Sequence, residues 1–128
     1  MTDDELATLH RYLTAWGDGD VMTVLGSYHE RLELRWPGTH RLSGTHAGRD
    51  AAVTALAALQ AATGRVLAEV RSITPADGFA DVELVERWTI DGSTVDLPRR
   101  LRFGVEDGLI AWCEVVELEP DLVDRVLG

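Results

Sequence analysis

The chain has 128 residues, is 45% hydrophobic and 27% charged, and carries a net charge of −10. This length supports one domain with its own apolar core, without disulfides or a structural metal. The acidity excludes a nucleic-acid or anionic-membrane partner, since both need a basic face, and no apolar run reaches the roughly 20 residues of a membrane span.

Missing residue types exclude more. All twelve basic residues are Arg and there is no Lys, so Schiff-base chemistry and a phosphate-loop lysine are ruled out. The single Cys113 permits no internal disulfide. Four scattered His residues show no metal-ligand spacing, so neither metal nor cofactor is expected. The acidic N-terminus does not resemble a signal peptide, and a cytoplasmic protein is expected.

Thr2-x-x-Glu5 is a capping box, and Leu6, Leu9, Leu13 and Trp16 follow at helical spacing. Gly17-Asp18-Gly19-Asp20 ends this helix, and a short one over about Val21 to Tyr28 follows. Arg31 to Trp36 alternates as a strand. Pro37-Gly38 breaks it, and a loop carrying His40 and His46 leads to an Ala/Leu helix over Arg49 to Thr63, closed by Gly64. Four strands are predicted next: Arg65 to Thr74, Phe79 to Ile90, Thr94 to Glu106 and Leu109 to Glu119. Asp91-Gly92 and Asp107-Gly108 between them are hairpin turns. A short turn or helix follows Pro120. One α+β domain over residues 1–128 is predicted.

Three stretches in this order carry a family resemblance. They are Tyr12-Leu-Thr-Ala-Trp-Gly-Asp-Gly-Asp20, the loop from Trp36 to Gly48-Arg49-Asp50, and Asp107-Gly-Leu-Ile-Ala-Trp-Cys-Glu-Val-Val-Glu117. The chain resembles the SnoaL-like polyketide cyclases and the limonene-epoxide-hydrolase-like enzymes of the nuclear-transport-factor-2-like superfamily. The resemblance implies a cone-shaped, curved, antiparallel or mixed sheet wrapped around the Arg49 to Thr63 helix. It also implies an apolar pocket at one end and a homodimer through the outer sheet face, where Val85, Leu109 and Val115 are expected. The fold hosts isomerases, cyclases, dehydratases, hydrolases and non-catalytic binders, so the reaction has to be argued from residues.

Period-2 alternation picks out polar residues on apolar strand faces. Arg99 shares a face with Val95, Leu97, Leu101 and Phe103. Glu114 shares one with Ile110, Trp112 and Val116, and Glu86 with Val82, Leu84 and Trp88. Two-residue turns pair Phe103 with Trp112, Leu101 with Glu114, Trp88 with Val95 and Glu86 with Leu97. Arg99 then lies diagonal to both Glu114 and Glu86. One Arg between two carboxylates is either a structural ion pair or an acid/base site in which the two carboxyl groups differ in pKa. In that site Glu114 is the acid or base, Arg99 its partner and Glu86 the second carboxylate, whereas Cys113 faces away. The epoxide-hydrolase resemblance selects differently: Glu86-Arg87-Trp88-Thr89 and Trp112-Cys113-Glu114 match its catalytic steps, which carries over Arg87 and Glu114. Thr89 stands where that family has Asp, and the chain contains no Asn, so the match departs from the hydrolase pattern.

Four Trp in this length suit a polycyclic or terpenoid ligand. The expected pocket walls are Tyr12, Trp16, Tyr28, Trp36, Trp88, Trp112, Leu101 and Phe103, with His40 and a mouth near Tyr12, Trp36 and His40. The function expected is proton-transfer chemistry on an apolar small molecule in bacterial secondary metabolism. The alternative is a non-catalytic binding or dimerisation module.

Overall fold

Thr2 starts the first helix as its sequence predicts. Its hydroxyl accepts from the Glu5 N–H at 3.2 Å, and the Glu5 carboxylate accepts from the Thr2 N–H at 2.8 Å. The computed structural model describes residues 1–128. The elements are α1 (Asp3–Asp18), α2 (Val21–Gly26), β1 (Tyr28–Trp36), β2 (Gly44–Ala47), α3 (Arg49–Thr63), β3 (Val66–Pro75), β4 (Ala80–Ile90), β5 (Ser93–Glu106), β6 (Leu109–Glu117) and α4 (Pro120–Leu127). α1 ends at Gly19 and α3 at Gly64, both in the left-handed conformation that only glycine adopts without strain. The loop after Trp36 is shorter than expected, because Gly44–Ala47 pairs with β1 as a strand.

The strands form one curved mixed sheet in the order β2-β1-β6-β5-β4-β3. β1 runs parallel to β6, and every other neighbouring pair is antiparallel. α1 and α3 cover one face. α1 buries Leu9, Tyr12 and Leu13, while α3 buries Ala52, Ala55 and Leu59. The two Ala residues are small enough to let α3 lie close against β1. The amphipathic α4 buries Val123 and Leu127 at one end of the sheet. No helix is long and apolar enough to cross a membrane.

The two Asp-Gly turns behave differently. Asp91 and Gly92 both have positive φ, and the β4–β5 register is the predicted one: Trp88 opposite Val95, Glu86 opposite Leu97. Asp107-Gly108 also forms a two-residue turn, with Glu106 opposite Leu109. One step further, Val105 faces Ile110 but Gly104 faces Trp112, so Ala111 has no partner. This β-bulge moves every later β6 residue to the opposite face from the one expected. Phe103 therefore pairs with Cys113, Leu101 with Val115 and Arg102 with Glu114. The bulge has a local cause. The Trp112 indole lies over Gly104 on the outer face, where any Cβ on residue 104 would overlap the ring. Arg35 stacks on the same indole at 4.7 Å, and Phe79 lies 6.2 Å from it.

Candidate functional site

The bulge changes the partner of Arg99. Arg99 points inward from β5 and is 1% exposed, as the strand pattern predicts. Its Nη1 donates to Glu86 Oε2 at 3.1 Å, while its Nε and Nη2 donate to the two oxygens of Glu117 at 2.8 and 2.6 Å. Glu117 thus stands where Glu114 was expected, beside Glu86. Glu114 lies on the outer face, 3.4 Å from Arg102. Indoles complete the network: Trp88 Nε1 donates to Glu86 at 3.0 Å and Trp36 Nε1 to Glu117 at 2.9 Å. The guanidinium also sits between these two rings, 5.2 Å from Trp36 and 5.6 Å from Trp88. Arg65, just after the α3 cap, adds a donor to Glu86 Oε2 at 3.1 Å.

Two guanidinium groups and two carboxylates share this space, so the buried charges are compensated and hydrogen-bonded. Burial alone would raise the pKa of Glu86. Arg99 and then Arg65 outweigh that and hold the carboxyl below its ordinary range. Burial likewise works against the charge on Arg99, but Glu86 and Glu117 raise its pKa further. Both groups stay ionised at neutral pH.

Beside this network is a small, largely enclosed cavity of about 30 Å³ between α1, α3 and the sheet. Of the residues proposed from sequence, Tyr12, Trp16, Tyr28, Trp36, Leu101, Phe103 and Arg99 line it. Trp88 is fully buried behind Glu86 and does not reach the cavity. Trp112 and Arg87 are on the outer face, and Arg87 pairs there with Asp96 at 2.8 Å. Its position matches strand parity, which sends odd-numbered β4 residues outward.

His40 lies at the far end of the fold, edge-on to Trp36 at 4.6 Å, where the Arg41 N–H bonds to the Leu127 carbonyl of α4. The expected mouth near Trp36 and His40 is therefore closed. His40 Nδ1 accepts from the Leu42 N–H at 3.2 Å, and Nε2 has no partner. Burial pushes its pKa down, against an opposing pull from Asp124 and Glu117.

The polar groups that do face the cavity share one property. The Tyr12 and Tyr28 hydroxyls bond to each other at 2.8 Å. Burial raises both pKa values, so both phenols keep their protons, and one O–H remains to donate elsewhere. Cys113, turned inward by the bulge, is pushed up to about 12 by burial and stays a thiol. Arg99 and Arg65 are cations. Every polar side chain lining the cavity is a hydrogen-bond donor, and neither carboxylate of the network is among the lining residues. Sequence reasoning missed Glu117, Arg65 and Cys113. Glu117 and Cys113 share one strand parity and needed only the bulge to be found, and Arg65 directly follows the Gly64 cap.

The family model for the SnoaL-like domain matches residues 9–113. The chain belongs to the SnoaL-like domain family. No curated protein matches it. Among solved structures, the SnoaL-like chain is similar to a protein of unknown function with a cystatin-like fold from Xanthomonas campestris. That pair has a TM-score of 0.86 and 19% identity over 96% of this chain and 97% of that one. It is also similar to TerC co-crystallised with polyporic acid, with a TM-score of 0.81 and 18% identity over 98% of this chain and 100% of that one. A third similar structure, put forward as a polyketide cyclase, comes from Xanthomonas campestris pv. campestris. Its TM-score is 0.76, with 19% identity over 94% of this chain and 95% of that one. At these identities the likeness is one of fold.

Proposed function

We propose that this SnoaL-like protein binds an apolar small molecule and stabilises an anionic oxygen that develops on it, as an enolising cyclase or isomerase must. One observation carries the reading: a cavity with apolar walls whose polar groups, Arg99, Arg65, Tyr12 and Tyr28, are all donors. Donors fixed around a developing oxyanion in a water-poor site are among the strongest catalytic devices. Glu86 and Glu117 hold Arg99 in place in this reading, since their oxygens already accept from Arg and Trp. The α-proton passes to a water molecule that enters with the ligand, and its C–H electron pair becomes the enolate whose oxygen the donors hold. In this reading Arg99 is the cation of the donor set, held by Glu117 where the sequence suggests Glu114. The similar fold of a proposed polyketide cyclase and of a protein crystallised with polyporic acid is compatible with a cyclic ligand.

The absence of a carboxylate from the lining favours a second reading, a binding module without turnover. The two separate cleanly with 2-tetralone, an apolar ketone with exchangeable α-protons, followed by NMR in D2O. The enzyme reading expects exchange faster than in buffer, and Tyr12→Phe combined with Tyr28→Phe should slow it about 100-fold. Binding of 2-tetralone with exchange no faster than in buffer supports the module instead.

A homodimer through the outer sheet face also belongs to this proposal. Trp112 and Val116 are half-buried there, Val85 is already buried, and Val115 faces the cavity. Sedimentation at micromolar concentration should give a mass near twice 14.1 kDa, and a monomer would remove the dimer from the proposal.

A further inference from the structure

Outside the enclosed cavity is a larger apolar groove of about 510 Å³ between the end of α1, α2, α3 and the start of β3. Its rim leaves apolar side chains in water: Val21 is 62% exposed, Leu25 41% and Val66 50%. Trp16, Tyr28, Leu56 and Arg65 line both the groove and the inner cavity, so they form the wall between them. The inner cavity alone has room for no more than a couple of water molecules. Any ring-sized ligand must therefore extend into the groove.

Arg65 is the only charged residue lining the groove, in a chain of net charge −10. Its guanidinium stacks on Trp16 at 4.7 Å and makes one hydrogen bond, to Glu86. A guanidinium has five N–H donors, so four are left for a ligand. Turning Arg65 outward would not strand Glu86, which keeps its bonds to Arg99 and Trp88.

We propose that the groove binds the apolar body of an organic anion, and that Arg65 leaves Trp16 to hold its acidic oxygen at the entrance of the inner cavity. Two features on the same wall point to this ligand class. The groove supplies an apolar bed, and one cation with unused donors lies at its inner end. A neutral apolar compound would leave those donors unpaired, while a small inorganic anion would gain nothing from Val21, Leu25 and Val66. The proposal rests on the small-molecule reading above and names the class of molecule that the site admits.

The test compares octanoate with 1-octanol, which share an alkyl body and differ in charge, by calorimetric titration of the whole protein. Octanoate should bind wild type about tenfold tighter than 1-octanol, and Arg65→Met should reverse that order by removing the anion's partner while keeping an apolar stem. Leu25→Glu alters an exposed rim position and leaves the buried network untouched. It should weaken octanoate binding about tenfold through charge repulsion in the groove. The proposal is overturned by equal or weaker binding of octanoate than of 1-octanol to wild type, by an unchanged preference in Arg65→Met, or by octanoate binding that Leu25→Glu leaves unaffected. Each of these results leaves 2-tetralone exchange, which depends on the Tyr12–Tyr28 pair, free to succeed or fail independently.

Discussion

Replacing Arg99 with Met should lower the stability of the fold by about 3–5 kcal/mol at pH 7, the usual cost of removing one partner from a buried charge network. Met keeps most of the volume between Trp36 and Trp88, so the loss reports charge more than cavity. Glu117 would keep only the Trp36 indole, and Glu86 only Arg65 and Trp88. The sign of the pH dependence then changes. In wild type the Glu86 carboxyl is held below its ordinary value, so its contribution is present above the unfolded pKa near 4.5 and is lost as pH falls through the lowered folded value. Without Arg99, burial should dominate and raise the folded pKa above the unfolded one. The variant should then lose stability as pH rises through that raised value and recover part of its deficit at lower pH. Urea unfolding between pH 5 and pH 8 checks this. Introducing Glu86→Leu and Glu117→Leu together with Arg99→Met should recover much of the loss, because an apolar replacement leaves no buried ion unpaired.

The two candidate carboxylates of β6 should differ by several-fold. Glu117→Ala removes two hydrogen bonds to Arg99 and one from Trp36, with the side chain 9% exposed, and should cost about 3 kcal/mol or more. Glu114→Ala removes a 3.4 Å contact with Arg102, which still has Asp81 at 2.8 Å, and should cost about 0–1 kcal/mol. The expected register, with Glu114 inside, predicts the reverse order.

Most of the architecture was legible because the local signals agree. A capping box opens α1, Gly64 closes α3, and Asp91-Gly92 sets the β4–β5 register, so Glu86 and Arg99 are found together. Two kinds of information were not local. The β6 register depends on a tertiary fit, the Trp112 ring over a glycine that looks like any other strand residue in sequence. Ala111 is as apolar as its neighbours, and nothing in the alternation marks it as the extra residue. Its effect is large because one residue of slip reverses a whole face. It moves Cys113, Val115 and Glu117 to the cavity side and sends Trp112 and Glu114 out. The pocket mouth was also not legible, since α4 closes one end only through contacts between residues distant in sequence, such as Arg41 with Leu127. In sequence Arg65 looks like an ordinary first residue of a strand. Its role follows from the Gly64 cap, which turns the chain back beside Trp16 and Glu86.

The central claim is that Arg99 is held by Glu117 and Glu86, so that this cation and the Tyr12–Tyr28 pair, with no carboxylate, line the cavity. A double-mutant cycle measured by chemical denaturation tests it most directly, with Arg99→Met combined in turn with Glu117→Ala and with Glu114→Ala. The account predicts a coupling of about 2–3 kcal/mol between Arg99 and Glu117, and additivity within about 0.5 kcal/mol between Arg99 and Glu114. Strong coupling to Glu114 with none to Glu117 would contradict it, because Glu114 would then be the buried partner and a carboxylate could reach the cavity.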